Sequence, residues 1–282
     1  MDLSVITVNF NDKGVLDQIK AVKLAAEGLS CEEIISDNGS SDGSGEEIQR
    51  LFPEIKIIEN KANIGFGAAN NRALPFASGE FLLFLNPDMR PTPGSFKKLV
   101  DLARQRPDIG ILSCRLTDES GRPNEKAKPR RFPTILNQLA VLLKLPHFFP
   151  SLLNKYFYAD LNLAKESEVD SVRGSFMLMR REIVKRLGRA FDPRYFIWFE
   201  DVDICREAKR LGFKVIYTPL VSCVDYVGLT FKKMPFYWKQ KNFTASMLKY
   251  FKKWESWHKW IWLAVLRPFV LALAFIKERF SK

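Results

Sequence analysis

Glu80-Phe81-Leu82-Leu83-Phe84-Leu85-Asn86-Pro87-Asp88 is the stretch that decides the fold. Five consecutive apolar residues are too few for a core helix, and turn formers stop them abruptly. They suit a strand buried on both faces. Working back from it, Leu3–Phe10 (L-S-V-I-T-V-N-F), Glu33–Ser36 and Ile55–Glu59 read as three more short strands. Helical patterns separate them. One of about 16 residues is capped by Asn11 or Asp12 and ends near Gly28. The others cover Glu46–Phe52 and Asn63–Phe76, the second with a Gly-rich start. Strands alternating with helices predict an α/β domain around a largely parallel sheet.

Ligands of such sheets bind beyond the carboxyl ends of the strands. Three ends carry polar chemistry here: Val8-Asn9-Phe10-Asn11, Asp37-Asn38-Gly39-Ser40 and Asn86-Pro87-Asp88. Together they suit a nucleotide sugar. Phe10 offers a flat face for a base, and Asp37 an acceptor for an imide N–H of uracil or thymine. Gly65-Phe66-Gly67, with Asn70 and Asn71, opens a helix that approaches ribose or phosphate closely. Asp88 is a hard oxygen ligand, right for Mg²⁺ or Mn²⁺ bridging a diphosphate.

Further along, Phe196-Ile197-Trp198-Phe199 runs into Glu200-Asp201-Val202-Asp203. Carboxylates beside an apolar wall are expensive to keep dry, which places them at a site edge. Partial desolvation there raises a carboxyl pKa toward neutrality and suits it to general-base work. An acidic helix N-terminus is the plainer reading, since Asp201–Leu211 has helical pattern and Gly212 is its stop.

The remaining elements are a helix over Ser95–Arg106, a strand over Ile109–Cys114, and a short alternating strand leading into Gly174-Ser175-Phe176. A strand over Lys214–Tyr217 follows. Asp118–Arg131, with five basic residues, reads as an exposed loop. Pro133–Tyr158 is aliphatic and aromatic, helical in part, and its His147 is taken as structural. Cys31, Cys114, Cys205 and Cys223 are scattered, which fits reduced core thiols rather than a zinc site or disulfides. Met1–Val5 begins directly in strand pattern without a basic n-region, so no secretory leader is expected.

The formal charge of +12 is unevenly placed. Residues 231–282 hold twelve Lys or Arg against Glu255 and Glu278, a surplus of ten. A neutral domain with a basic, Trp-rich tail argues for an anionic membrane surface and against nucleic acid. The apolar run Ile261–Ile276 is shorter than a spanning helix needs and holds Pro268, so the tail is expected to lie in the interface.

The motifs V-I-T-V-N-F-N (5–11), S-D-N-G-S-S-D-G-S (36–44), E-N-K-A-N-I-G-F-G-A-A-N-N (59–71), G-E-F-L-L-F-L-N-P-D (79–88), V-R-G-S-F-M-L-M-R-R-E (172–182) and F-D-P-R-Y-F-I-W-F-E-D-V-D-I-C (191–205) stand in an order that resembles glycosyltransferase family 2. The resemblance covers roughly residues 3–230 and is nearest the rhamnosyltransferase branch of surface-polysaccharide assembly. It implies a GT-A-type three-layer α/β/α fold: a nucleotide-binding half (1–115), an acceptor and catalytic half (116–230), and a helical tail (231–282). It implies inverting, metal-dependent transfer of a sugar, first of all rhamnose, from a dTDP- or UDP-linked donor to a glycan or lipid-linked glycan at the cytoplasmic membrane face. Val8, Phe10 and Asp37 would contact the base, with Asn38, Gly65, Asn70, Asn71 and Asn86 around the nucleotide. Asp88 matches the second Asp of the family's D-x-D, and Asn86 stands at the first. Asp201 matches the general base, with Glu200 and Asp203 orienting the site. The family's metal-site His is replaced by Asp225, a possible harder ligand. That replacement keeps open a non-catalytic nucleotide-sugar-binding subunit. A nucleotidyltransferase is a further alternative, and no Gly-rich loop with Lys or Arg near the first strand supports it.

Overall fold

The structure, a computed structural model, describes residues 1–226 and 234–280. Its first half alternates as β1 (Leu3–Asn9), α1 (Val15–Ala25), β2 (Cys31–Asp37), α2 (Ser44–Leu51), β3 (Lys56–Glu59), α3 (Phe66–Ala73) and β4 (Phe81–Leu85). β1 pairs in parallel with β2 and β4, and β2 with β3. Every residue of β4 is buried because both sheet faces are covered. Leu3, Val5, Phe81, Leu83 and Leu85 pack on one side with Val22 of α1. Ile6, Ile34, Leu82 and Phe84 pack on the other with Ala73 of α3.

The second half runs β5 (Met89–Pro91), α4 (Ser95–Gln105), β6 (Ile109–Thr117), α5 (Ile135–Leu142), β7 (Ser167–Glu168), β8 (Phe176–Arg180), α6 (Arg181–Leu187), α7 (Glu200–Arg210), β9 (Lys214–Asp225), α8 (Phe236–Trp254) and α9 (Trp257–Phe280). Sheet order among the described residues is β3-β2-β1-β4-β8-β6-β9-β5, with β7 also on β9. The parallel arrangement holds through the first four strands and for β6 with β9; β8 is antiparallel to both β4 and β6, and β5 to β9. The cause is connection type. A helical crossover returns a strand parallel, whereas the long excursion from residue 118 to 175 brings β8 back from the other end.

Three local readings change. α1 starts at Val15, with Gly14 as N-cap and Asp12 accepting its N–H at 2.9 Å. Gly174-Ser175 precedes strand β8 rather than ending one. β9 is three times its expected length, because a bulge at residues 219–221 shifts its register on β6 and lets pairing resume to Asp225.

The boundary expected between 230 and 231 lies outside the described residues, and the helix beyond it does not stand apart. Met247, Tyr250 and Phe251 of α8 are fully buried against Tyr195, Phe199 and Leu263. Burying each such side chain contributes roughly 1.5–3 kcal/mol. α9 runs unbroken through Pro268 for 24 residues. Pro268 lacks one helical N–H, and next to it the Arg267 Nε–H donates to Thr244 Oγ1 of α8 at 3.1 Å, tying the two helices together. Residues 118–131 are also more ordered than a solvated loop. Ala127 and Pro129 are buried, and Arg130 pairs with Ser171. His147 sits exposed on a 3-10 turn.

Candidate active site

A cleft of about 480 Å³ opens at the carboxyl ends of β1, β2 and β4. Val8, Phe10, Asn38, Gly65, Asn86, Asp88 and Asp225, seven of the expected residues, line it. At the ends of β1 and β2 the backbone turn is knitted by amides. The Asn38 N–H donates to Asn9 O (2.7 Å), its Nδ2 donates to Asn63 Oδ1 (2.9 Å), and its Oδ1 accepts the Ile64 N–H (3.0 Å). Asn63 Oδ1 also accepts the Gly65 N–H at 3.0 Å. Gly65 has φ +91°, and a Cβ there would lie 2.5 Å from Phe196 O. Glycine is required by conformation and by space alike.

Three residues expected here are committed to the fold instead. Both Asp37 oxygens accept the Ser40 N–H, at 3.0 and 3.2 Å, and Asp37 does not face the cleft. Asn70 donates back to Phe66 O at 3.0 Å within α3. Asn71 staples α3 to the following layer, donating to Phe191 O (2.6 Å) and accepting the N–H of Ala190 (3.0 Å) and Phe191 (3.1 Å). Three of the amide's four hydrogen-bonding positions are thus spent on backbone, leaving a single Nδ2–H.

Asp88 and Asp225 converge across the β5–β9 ladder. Met89 is opposite Asp225, and Asp88 O accepts the Tyr226 N–H at 3.1 Å. Asn124 donates to Asp225 Oδ2 at 3.2 Å, so the basic segment reaches the site through an amide. Among the described residues no cluster of three or more His, Cys, Asp or Glu gathers. Two carboxylates in one cleft nevertheless fit a small hard cation, which keeps waters and shares the substrate's phosphate oxygens.

The acidic helix forms the opposite edge. Trp198 (φ 64°) and Phe199 (φ 68°) both hold left-handed backbone immediately before α7. Each such residue costs about 1–2 kcal/mol. α8 restrains them: Ser246 donates to Ile197 O at 2.8 Å, and Phe243 packs against both rings. The turn splits the three carboxylates. Asp201 is half-buried at the cleft edge, its Oδ2 accepting the Gly174 N–H at 3.3 Å between cleft-lining Arg173 and Ser175. Glu200 is buried below, where burial, then the neighbouring Asp201 charge, pushes its carboxyl well above its usual range. Asp203 points away from the cleft into α8, accepting from Lys253 Nζ and Trp254 Nε1, both at 2.7 Å. None of the three carboxylates lines the cleft itself: Asp201 meets it through Gly174, whereas Glu200 is buried and Asp203 turns into α8.

Sequence reading missed Asn63, Arg173, Trp238 and Lys239, which all line the cleft. The first two stand inside quoted motifs and were legible there. Trp238 and Lys239 come from α8 and carried no local signal beyond tail composition.

A sheet covered by helices on both faces, with polar strand ends lining a cleft and an acidic helix beside it, matches the GT-A-type arrangement that the sequence resemblance implies. The family model for glycosyl transferase family 2 matches residues 4–188, and the chain belongs to that family. It is 27% identical over 237 residues to the N-acetylglucosaminyl-diphospho-decaprenol L-rhamnosyltransferase of Mycobacterium tuberculosis, covering 79% of this chain and 76% of that one. It is 26% identical over 188 residues to the rhamnosyltransferase WbbL of Escherichia coli, covering 63% and 68%. Among solved structures it resembles the mannosyltransferase PcManGT of Pyrobaculum calidifontis in complex with GDP-Man and Mn²⁺. That match has a TM-score of 0.61 and 17% identity, over 97% of this chain and 73% of that one. It also resembles S. aureus TarS in complex with UDP-GlcNAc, with a TM-score of 0.54 and 18% identity, over 88% and 67%.

Proposed function

We propose that this glycosyltransferase moves a deoxyhexose, first of all rhamnose, from a dTDP- or UDP-linked donor to a hydroxyl of a lipid-linked glycan, with inversion. The observation that carries the reading is the cleft itself. Val8, Phe10, Asn38, Asp88 and Asp225 line it together, and Asp201 is tied to it through Gly174, which stands between the lining residues Arg173 and Ser175. The base lies between Val8 and Phe10. Gly65 lets the backbone approach the ribose or diphosphate. Asp88 and Asp225, beside Asn86, would hold Mg²⁺ or Mn²⁺, which would neutralise charge developing on the leaving diphosphate.

Asp201 accepts the proton of the acceptor hydroxyl. The oxygen attacks the anomeric carbon from the face opposite the nucleoside diphosphate. The new C–O bond forms as the bond to the diphosphate breaks, and the configuration inverts. Phe196, Trp198 and Trp238 supply an aromatic wall for the acceptor, and Lys239 a cation for its phosphate. The Mycobacterium tuberculosis relative is named for a diphospho-decaprenol substrate, which supports such an acceptor. The enzyme works at the cytoplasmic face of the membrane, held peripherally on anionic lipid by residues 231–282.

Asp201→Asn tests the assignment. Donor binding should stay within a few-fold of wild type while turnover falls about 10²–10⁴-fold, the usual contribution of a general base. Turnover near the wild-type rate would remove Asp201 from that role.

A further inference from the structure

Two exposed apolar surfaces lie outside the cleft, bridged by α5. The first is the outward stripe of α9, where Trp262, Phe269, Leu273 and Phe280 are 62–81% exposed. The second comes from far away in sequence. The 3-10 turns after α5 present Phe148 (77% exposed), Phe149 (60%) and Leu152 (51%) to solvent. α5 joins the two, because its inner face, Ile135, Leu139 and Leu142, packs with Leu263, Leu266 and Val270 of α9. Exposed aromatic surface on this scale marks an interaction site.

Charge says what covers it. Residues 126–159 contain six Lys or Arg and no acidic residue, and residues 231–282 carry their own surplus of ten. A second copy of the chain would bring like charges together, whereas an anionic bilayer complements them and accepts aromatic side chains. Among the described residues α9 is the one helix long and apolar enough to cross a membrane; Leu263 and Ala274 are its buried positions, on the side that meets α8 and α5, and the rest is open to lipid in whole or in part.

We propose that the turn at residues 143–152 is a second membrane-inserting element, which with α9 seats the enzyme on anionic lipid at two points. The inference rests on the membrane reading above and goes beyond it. Two separated points fix the tilt of the catalytic cleft over the surface, where one helix would leave it free to roll.

Flotation of the full chain tests it, with phosphatidylglycerol–phosphatidylcholine vesicles against phosphatidylcholine alone, at low salt and at ~1 M salt, where charge is screened beyond ~3 Å. F148S/F149S should keep the wild-type melting temperature, since both side chains are exposed, and should partition about tenfold more weakly at high salt. W262S/F269S should weaken binding comparably, and the four changes together more than either pair. Wild-type partitioning by F148S/F149S alongside loss by W262S/F269S would overturn the second element and leave the membrane reading standing. Failure of the wild type to float on any vesicle would overturn both. A concentration-dependent dimer abolished by F148S/F149S, without vesicle binding, would assign the face to a second copy and overturn the proposal.

Discussion

Lys253 is the residue whose loss should be felt most. Its Nζ lies 2.7 Å from Asp203, 2.8 Å from Glu207 and 3.7 Å from Asp192. Those carboxylate side chains are 3%, 6% and 2% exposed. Two have other cations: Asp192 is held by Arg194, which keeps its carboxyl near about 2, and Glu207 by Arg210. Asp203 would keep only the Trp254 Nε1–H and the Tyr195 hydroxyl. Lys253→Ala should therefore strand one buried charge and cost about 3–5 kcal/mol. At roughly 2 °C per kcal/mol for a chain of this size, the melting point falls on the order of 6–10 °C. The pH dependence has a definite sign. Burial already raises the Asp203 carboxyl, and losing Lys253 raises it further. A raised folded-state pKa means the stability is present below the unfolded value of about 3.9 and lost as pH rises through the folded one. So the variant's deficit should be large at neutral pH and shrink toward about pH 4. Urea denaturation of wild type, Lys253→Ala, Asp203→Asn and the double variant at both pH values is the assay. The double variant should recover much of the loss, because both buried charges are gone. A loss under about 1 kcal/mol at neutral pH, or strictly additive single effects, would refute the argument.

Other outcomes follow from the same geometry. Asp88→Ala should abolish metal-dependent binding of the nucleoside diphosphate and Asp225→Ala should weaken it; calorimetry with and without Mg²⁺ or Mn²⁺ reads both. Gly65→Ala places a Cβ against Phe196 O at positive φ, so nucleotide affinity should drop and stability fall by about 1–3 kcal/mol, visible in a ligand titration followed by thermal shift. Ending the chain before Phe236 removes Lys253 and uncovers Tyr195 and Phe199. The product should be aggregated or unfolded by circular dichroism rather than a stable catalytic domain.

How much of this was legible in the sequence depended on the range of the interactions. β1 to β4 and their polar ends announced themselves because strand, turn and glycine preferences are local. The cleft side chains Val8, Phe10, Asn86 and Asp88 follow from where those strands stop. Asn70 and Asn71 look like ligands in the sequence, yet they bond backbone in α3 and at Phe191, a partner 120 positions away. Asp203 reads as a site carboxylate beside Asp201, but helical rotation of two residues turns it to another face, where Lys253 waits. The tail was legible only in its composition, for a related reason. Its Lys and Trp composition is that of an interfacial anchor, and composition cannot tell Lys253 and Trp254, which face inward, from Trp262, which faces out.

The strained pair Trp198 and Phe199 has a practical consequence for building hybrids. The turn that aims Asp201 holds its shape because Phe243, Ser246 and Tyr250 press on it from a helix nearly fifty residues later. Residues 192–206 and 236–254 thus behave as one exchangeable unit split in two along the gene. A chimaera with a relative that swaps either piece alone would pair a bent turn with a foreign clamp, and a parsimonious crossover map would place its breakpoints outside both.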